Sequence, residues 1–438
     1  MRITQLVLHP IAIADPPLRS SYGLHAPFAL RTIVELKTDS GLTGISETYG
    51  GDGPLAGLEA LRPRVTGMDP FQLAGLWRDM SAEGTMRAAG VADRTQTYLV
   101  PGENPLDQYA RTFAAIEIAC LDLIGKAVGK PACDVIGGRV RDEVSFSAYL
   151  FYKHGGGGGV GGDAREDEYG EVLSPEACVR ECKQMIAKYG FREIKLKGGV
   201  LDPEIEVESI RALRREFGPK YPLRIDPNCA WSVETSIQVG RALKDELSDG
   251  GYLEDPCATL EGMGEVRRRL LAEDNDTPQA SNVATTCFAD VPRARALDAV
   301  QIVLSDPHYW GGMRNLQQLS HLTGVLGMGM SMHSNSHLGV SLMAMTHAAA
   351  ACPNLTYACD THYPWQVEQD EVIDGGRVKF VNGCVRIPDK PGLGVELDYD
   401  QLARGRERYA KIPIRKRDDE AEMRKHVDPN WKRVLPRW

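Results

Sequence analysis

Six polar residues, each at the end of a short apolar run, constrain the fold of this chain more than any other feature of its sequence. They are Lys195, Asp226, Glu254, Asn282, Asp306 and His333, and consecutive members lie 24 to 31 residues apart. Each interval is about the length of one strand and one returning helix, which predicts a (β/α)8 barrel. Because the carboxyl ends of all barrel strands open at one mouth, we expect the six side chains to converge there.

The rest of the chain divides around this repeat. Near the N-terminus two alternating segments flank a turn at Asp39-Ser40-Gly41, which indicates a β-hairpin, and residues 114–128 have helical periodicity. From about residue 144 eight apolar runs alternate with helical segments. We therefore predict an α/β protein made of three parts. They are an α+β capping domain at residues 1–125, a (β/α)8 TIM-type barrel at residues 126–370, and a C-terminal segment at residues 371–438 that packs back on the cap.

A glycine-rich stretch at residues 155–162 follows the first predicted barrel strand. It lacks the Gly-Lys-Ser/Thr ending of a phosphate-binding loop, and acidic residues such as Asp163 and Glu166 follow it. We interpret it as a mobile surface loop beside the barrel mouth rather than as a phosphate site.

Composition and charge argue against several classes of partner. The chain has 438 residues, of which 42% are hydrophobic and 25% charged, as is usual for a globular enzyme, and its net charge of −9 disfavours a nucleic-acid partner. The N-terminal segment is interrupted by His9, Pro10 and Asp15, and the apolar stretch at residues 338–352 is too short to span a membrane. Ten cysteines without a paired spacing indicate reduced thiols. We expect a cytoplasmic protein with neither nucleic-acid nor membrane partners.

Three of the strand-end residues have the chemistry of a magnesium site. Asp226, Glu254 and Asn282 offer oxygen ligands on consecutive strands with no sulfur nearby, a set that suits Mg²⁺ completed by water and substrate oxygens. Two carboxylates and one amide leave the ion able to accept an anionic substrate. The alternative is that each acid pairs with a neighbouring base, but three such residues in phase favour the metal site.

The other strand-end residues have the chemistry of proton transfer. Lys195 and Lys197 are two apart, so they point to the same side of one strand, where like charges would lower a lysine pKa. His333 follows Asp306 by one strand-helix unit, and a carboxylate on one imidazole nitrogen raises the basicity of the other. A zinc pair of His333 and His337 would need a helix, whereas this run begins on a predicted strand. Such a site would remove a proton next to a carboxylate, with Mg²⁺ stabilising the enediolate.

Several motifs add a family resemblance to this reading. The segments FREIKLKGGVL, RIDPNCAW, LEDPC, LSDPHYW, MHSNSH and CDTHYPW resemble those of the glucarate dehydratase family, in the mandelate racemase-like branch of the enolase superfamily. The likeness runs from His25 to Arg417. It departs from the family at SNSHLG, where relatives read SNNHFD, at Cys229, where they have glycine, and in the glycine-rich loop.

The resemblance implies specific roles. Asp226, Glu254 and Asn282 would bind Mg²⁺, and His333, supported by Asp306, would be the base. Lys197 would act from the opposite face of the substrate, with Lys195 as its charged neighbour. The residues that would contact substrate are His25, Thr97, Tyr149, Asn228, Asn335, His362 and Arg417.

The expected function is a Mg²⁺-dependent dehydratase of a diacid sugar, most specifically D-glucarate. The alternatives are a dehydratase or epimerase for another aldarate, which would share the same first step, and a weakly active paralogue that associates with an active dehydratase. Members of this family commonly form homo-oligomers, which is the expectation here too.

Overall fold

The computed structural model describes residues 1–88 and 105–438, whose first part forms a cap. The cap is built on a three-stranded antiparallel sheet of order β1-β4-β5, with a two-stranded ladder of β2 and β3 beside it. Its strands are β1 (Ile3–Ala14), β2 (Arg19–Ser20), β3 (Gly23–Leu24), β4 (Phe28–Thr38) and β5 (Thr43–Tyr49). The helices that follow are α1 (Asp52–Val65), α2 (Leu73–Ala88), α3 (Pro105–Val128) and the short α4 (Ala132–Val135).

The predicted hairpin is present between β4 and β5. Thr38 N donates to Leu42 O at 3.1 Å, and Gly41 has a φ of +82°, which residues with a Cβ rarely adopt. The predicted helix at residues 114–128 lies within α3 and packs on β5. The predicted boundary at residue 125 falls inside this helix. The domain boundaries stay predictions.

Seven parallel strands follow one another in chain order around the barrel. They are β7 (Ala148–Phe151), β8 (Ile194–Lys197), β9 (Leu223–Asp226), β10 (Tyr252–Glu254), β11 (Gln279–Ser281), β12 (Ile302–Ser305) and β13 (Gly329–Met332). The returning helices are α5 (Pro175–Tyr189), α6 (Pro203–Phe217), α7 (Val233–Ala242), α8 (Leu260–Leu271), α9 (Asp290–Ala296), α10 (Met313–Val325) and α11 (Gly339–Ala350). Four of them start at side-chain N-caps that satisfy first-turn amides: Ser174, Asp202, Ser232 and Thr259.

Residues 356–360 close the ring at the eighth position. On one side Asp360 N donates to Met332 O of β13 at 2.9 Å, and on the other Cys359 N donates to Ser145 O at 2.9 Å. The eighth apolar run therefore completes the barrel as an irregular segment rather than as a regular strand. The predicted TIM-type barrel with an α+β cap is confirmed.

The C-terminal residues return to the cap, as predicted. Helix α12 (Tyr399–Lys411) packs on β1, where Arg408 Nη1 donates to Ala12 O at 2.7 Å, and α13 (Asp419–His426) packs on β3. The strand β14 (Cys384–Arg386) pairs with β6 (Glu143–Ser145) just before the barrel. The cap is thus assembled from both ends of the chain.

A buried carboxylate of the cap holds the last barrel helix. Glu47 Oε1 and Oε2 accept hydrogen bonds from Leu338 N and Ser341 N, each at 3.0 Å, at the first turn of α11. Arg31 Nε donates to the same carboxylate at 2.8 Å. An acidic group at a helix N-terminus satisfies unpaired amides and complements the helix dipole, so this contact fixes the cap to the barrel.

The glycine-rich loop after β7 is also attached to the cap. Gly159 N donates to Pro27 O at 2.7 Å. Gly158 has a φ of +84°, and a Cβ there would collide with the backbone of Asp15. The loop that was predicted to be a mobile surface segment therefore makes a backbone hydrogen bond to the cap, and its position beside the mouth stays a prediction.

Across the two described ranges, no helix combines the length and the apolar character that a membrane crossing requires.

Candidate active site

The ends of three neighbouring strands bring carboxylates and ammonium groups together. Asp226 ends β9 and Glu254 ends β10, both fully buried, while Lys195 and Lys197 lie on one side of β8. Carboxylate oxygens of Asp226, Glu254 and Asp255 lie within 4.8 Å of one another. This is the convergence that the strand spacing predicted for the acids.

Lys195 is surrounded by acids rather than by like charge. Its Nζ lies 2.5 Å from Glu254 Oε2, 2.6 Å from Asp360 Oδ2 and 3.5 Å from Asp226 Oδ2. Burial alone would lower the pKa of Lys195, but the charges of Asp360 and Glu254 outweigh burial and raise it well above its ordinary value. The expectation that crowding by a second lysine lowers the pKa is therefore wrong for Lys195, which is held as a cation.

Asp226 is held by groups on both of its oxygens. Oδ2 lies 2.5 Å from Lys197 Nζ, while Oδ1 accepts the backbone N of Asn228 at 3.0 Å and its Nδ2 at 2.8 Å. Burial would raise the pKa of Asp226, but the ammonium groups of Lys197 and Lys195 hold it below its usual range. Asp226 is therefore an ionised oxygen donor in a fixed orientation.

Asn282 lies one residue beyond β11 and has no hydrogen-bond partner for its side chain within the described ranges. Both its Oδ1 and its Nδ2 are buried and unsatisfied, and so is Oε1 of Glu254. Asp255 instead turns toward β11, accepting Ser281 Oγ at 2.5 Å and Asn282 N at 3.0 Å. Because buried polar atoms are normally satisfied, the free Oε1 of Glu254, beside Asp226, and the free Oδ1 of Asn282 on the next strand are suited to a hard cation. Asp255 positions the loop that carries Asn282.

His333 and Asp306 lie one residue beyond β13 and β12. His333 Nδ1 is 3.5 Å from Asp306 Oδ2. The other oxygen of Asp306 receives His308, whose Nδ1 lies at 2.6 Å and whose backbone N also lies at 2.6 Å. Burial lowers the pKa of His333, and Asp306 opposes this shift. A neutral imidazole beside an ionised carboxylate is the form that a general base requires.

A cavity of about 100 Å³ lies between the cap and the barrel. Three predicted substrate contacts line it together, namely His25, Asn335 and Arg417, and so does Arg31. Asn335 Oδ1 accepts Arg31 Nη1 at 3.0 Å, which ties this end of the barrel to the cap. Its lining includes the carboxylate of Asp15 and the guanidinium groups of Arg31 and Arg417, which pair with Glu47 and Asp419.

His25 is held by one group on each ring nitrogen. Its Nδ1 lies 2.9 Å from Asp15 Oδ2, and its Nε2 lies 2.9 Å from Arg417 Nη2. Since the guanidinium only donates, Nε2 accepts and Nδ1 carries the proton. Arg417 in turn pairs with Asp419 at 2.5 Å.

Aromatic side chains connect the acid cluster with this cavity. The Tyr149 ring lies 4.7 Å from Lys195 Nζ and 5.0 Å from the His362 ring, and the Phe151 ring lies 5.1 Å from His362 and 6.3 Å from His25. Burial lowers the pKa of His362 well below its ordinary value, so this ring is neutral. The buried Tyr149 hydroxyl has no partner within the described ranges.

The structure adds residues that the sequence did not suggest. Asp360 ends the eighth apolar run, so the rule that found the other acids could have found it as well. His308 lies inside a motif that was recognised only for Asp306. Tyr22 of the cap donates its hydroxyl to Asn228 Oδ1 at 2.6 Å, and no sequence signal points to it or to Arg31.

Thr97 lies outside the described residues, so its predicted role as a substrate contact stays a prediction.

The barrel, its cap and the strand-end acids define a class of protein, and comparison with known sequences agrees with it. The chain belongs to the enolase superfamily, since the profile of the enolase C-terminal domain-like family matches residues 177–402. Over its whole length the chain is 42% identical to a protein of Streptomyces coelicolor named "Probable glucarate dehydratase", covering 99% of that relative. It is also 28% identical, over 84% of each chain, to a D-xylonate dehydratase of Haloferax volcanii. These relatives confirm the resemblance that the motifs indicated.

Solved structures are similar over the whole chain. An enolase from Pseudomonas fluorescens, crystallised with bound magnesium, potassium and tartrate, has a TM-score of 0.91 and 46% identity, covering 100% of this chain and 99% of that one. A Mycobacterium smegmatis enolase complexed with tartrate has a TM-score of 0.87 and 43% identity, covering 100% of this chain and 98% of that one.

Proposed function

We propose that the chain is a Mg²⁺-dependent acid-sugar dehydratase that converts D-glucarate to 5-dehydro-4-deoxy-D-glucarate. The observation that carries the proposal is the placement of two different bases, Lys197 on β8 and the His333–Asp306 pair after β13 and β12, on either side of the strands that bear Asp226 and Glu254. The relative named "Probable glucarate dehydratase" supports this reaction type. The domain boundaries and the site roles predicted from the sequence belong to the same proposal.

Asp226, Glu254 and Asn282 would hold the Mg²⁺ ion. Their free oxygen atoms support this assignment, and a structure similar to this chain contains bound magnesium. When bound, the ion would supply Lewis-acid stabilisation of the negative charge that develops on the substrate carboxylate.

His333 would remove the C5 proton next to that carboxylate. Asp306 keeps the imidazole oriented, and the protonated ring would then return its proton to the C4 hydroxyl, which leaves as water. The resulting enol tautomerises to the 5-keto, 4-deoxy diacid, so atoms and charges balance. Lys197, on the opposite face of the substrate, would remove the C5 proton of the C5 epimer. The cation of Lys195 would attract the reacting carboxylate.

The second carboxylate of the diacid would lie toward the cap. His25, Arg31 and Arg417 line the cavity on that side, and the buried Nη2 of Arg31 has no partner within the described ranges. Charge-assisted hydrogen bonds to a carboxylate favour a diacid over a monoacid there. Tyr149, Asn228, Asn335 and His362 would contact the hydroxyl groups between the two ends.

A different aldarate is the second candidate. Two structures similar to this chain contain tartrate, a four-carbon diacid, so recognition of two carboxylates does not fix the length of the substrate. An epimerase would stop after reprotonation, since both reactions share the first proton transfer.

The test is incubation of the purified protein and Mg²⁺ with a panel of acid sugars in ²H₂O. The panel comprises five compounds: D-glucarate, the C5 epimer of D-glucarate, galactarate, tartrate and D-xylonate. We expect the wild-type protein to form keto acid fastest from D-glucarate. The His333→Asn, Lys197→Met double variant should form no keto acid from any compound of the panel. Deuterium exchange without keto acid would show an epimerase. No turnover of any sugar, together with co-purification of a homologue, would show a paralogue of low activity.

We further propose that the protein is cytoplasmic and forms homo-oligomers. Light scattering coupled to gel filtration measures the mass of the assembly, and a monomer of 48.1 kDa would contradict this part of the proposal.

A further inference from the structure

Asp306 lies between two histidines, and only one of them belongs to the proposed chemistry. His308 occupies Asp306 Oδ1 with its Nδ1 and with its backbone N, both at 2.6 Å. His333 lies 3.5 Å from Oδ2. His308, Asp306 and His333 are all buried, with 2%, 1% and 9% of their surfaces exposed. The carboxylate therefore serves two imidazoles, and His308 makes the closer contact.

A fourth residue sets the protonation pattern. Ser341 Oγ, on the first turn of α11, lies 2.5 Å from His308 Nε2. Because an ionised carboxylate only accepts hydrogen bonds, His308 Nδ1 must carry a proton. In a neutral ring Nε2 is then an acceptor, so the serine hydroxyl donates to it. Hydrogen bonds thus connect Ser341 through His308 to Asp306 Oδ1, and His333 Nδ1 lies 3.5 Å from the other oxygen of Asp306.

We propose that His308, held by Ser341, is a positioning residue. It fixes the orientation of Asp306 and weakens the attraction of this carboxylate for a proton on His333. This inference rests on the proposed function, because it assigns His333 as the base. Asp306 Oδ1 receives two donors, so only Oδ2 remains for His333. A carboxylate that is already hydrogen-bonded attracts a further proton less strongly than a free one, and His308 thereby lowers the basicity of His333.

Other groups also face this line of residues. Tyr49 of β5 packs edge-on against His308 with ring centroids 6.1 Å apart, and His337 precedes α11. Burial lowers the pKa of His337 to about 4, so its charge is constant through the neutral range. The ammonium groups of Lys195 and Lys197 act on His333 from β8. All of these groups are unchanged in the variants described next, so their contributions cancel in the comparison.

The test compares His308→Phe with the wild-type protein. Phenylalanine keeps the ring that packs on Tyr49 but removes both nitrogens, which frees Asp306 to bond His333 alone. We expect the pKa of His333 to rise by about one unit, which is a tenfold change in proton affinity. Nuclear magnetic resonance of ¹³C-labelled histidine, with the His333 signal assigned from its loss in His333→Asn, measures this pKa directly in holoenzyme containing Mg²⁺.

Kinetics supply the second readout. The acid limb of the pH profile of kcat/KM should move upward by the same amount, because it reports the base of the free enzyme. At low pH the kcat/KM of His308→Phe should be about tenfold lower than that of the wild-type protein, and at high pH the two values should converge. Ser341→Ala should shift the His333 pKa in the same direction by less, since His308 still donates to Asp306.

Two more variants complete the comparison. His308→Asn should return the His333 pKa toward the wild-type value, because its amide nitrogen replaces Nδ1 as a donor. The control, His321→Asn on the exposed face of α10, should change nothing. An unchanged or lowered pKa of His333 in folded His308→Phe would overturn the inference. If the wild-type protein dehydrates no acid sugar, the proposed function fails, while the magnetic resonance titration still decides the role of His308.

Discussion

Replacing Lys195 with methionine should destabilise the protein strongly, because this lysine neutralises several buried acids at once. Its Nζ lies 2.5 Å from Glu254, 2.6 Å from Asp360 and 3.5 Å from Asp226, and all four side chains are fully buried. With Lys197 the cluster contains two amino groups and three carboxyl groups. The variant would hold three carboxyl groups beside one amino group.

The size of the effect follows from burial. Removing one partner of a buried ion pair costs about 3–5 kcal/mol, because the remaining charges stay out of water without compensation. Lys183 provides a matched control, since its Nζ pairs with Glu216 Oε1 at 2.6 Å but both side chains are well exposed. An exposed pair contributes only about 0–1 kcal/mol. Lys195→Met should therefore lose at least about 2 kcal/mol more than Lys183→Met.

Urea unfolding in EDTA, followed by tryptophan fluorescence, measures the free energies of unfolding. Burial and the charge of Asp226 raise the pKa of Glu254 well above its ordinary value. An acid whose pKa is higher in the folded than in the unfolded state destabilises the fold increasingly as pH rises above the unfolded pKa. The cost of Lys195→Met should thus be larger at pH 8 than at pH 5. Equal losses for Lys195→Met and Lys183→Met, or a cost independent of pH, would refute the reasoning.

Three further substitutions test other parts of the site. Asn282→Asp should bind Mg²⁺ about tenfold more tightly in a calorimetric titration while raising KM for a dianionic sugar, because it adds a negative charge beside the ion; an unchanged KM would argue against a diacid. His333→Asn should abolish dehydration of the epimer it deprotonates but keep Lys197-dependent deuterium exchange on the other epimer, and loss of both would contradict two independent bases. Tyr22→Phe should weaken Mg²⁺ binding about fivefold, because a hydrogen bond of about 1 kcal/mol to Asn228 is lost; unaltered affinity would mean that the cap does not support the metal site.

The positions of the strand-end residues could be predicted because a barrel repeats along the chain. Successive strands have the same direction, so residues at equivalent positions share one rim, and the period of the sequence carries this information. Alternation along β8 likewise placed Lys195 and Lys197 on one side. Asp360 obeys the same rule, since it ends the eighth apolar run, although it was not among the predicted site residues.

Other features could not be predicted, because they depend on contacts between distant parts of the chain. Tyr22 meets Asn228 across 206 residues, and Arg31 meets Asn335 across 304, with no periodic pattern linking either pair. The charge state of Lys195 was misjudged for a similar reason. The alternation along β8 places Lys197 on the same side of the strand, whereas three carboxyl groups reach Lys195 from three other barrel segments.

The carboxylate of Glu47 has a consequence for recombining parts of related proteins. Glu47 belongs to the cap, yet its carboxylate accepts hydrogen bonds from the backbone N of Leu338 and Ser341 in the barrel. Ser341 is also the residue whose hydroxyl contacts His308. A chimera that joins this barrel to a foreign cap without an acid at that place would leave two interior amides without an acceptor, each at about 1–3 kcal/mol. A cap grafted onto this barrel to change its substrate preference must therefore contain an acid at the position of Glu47.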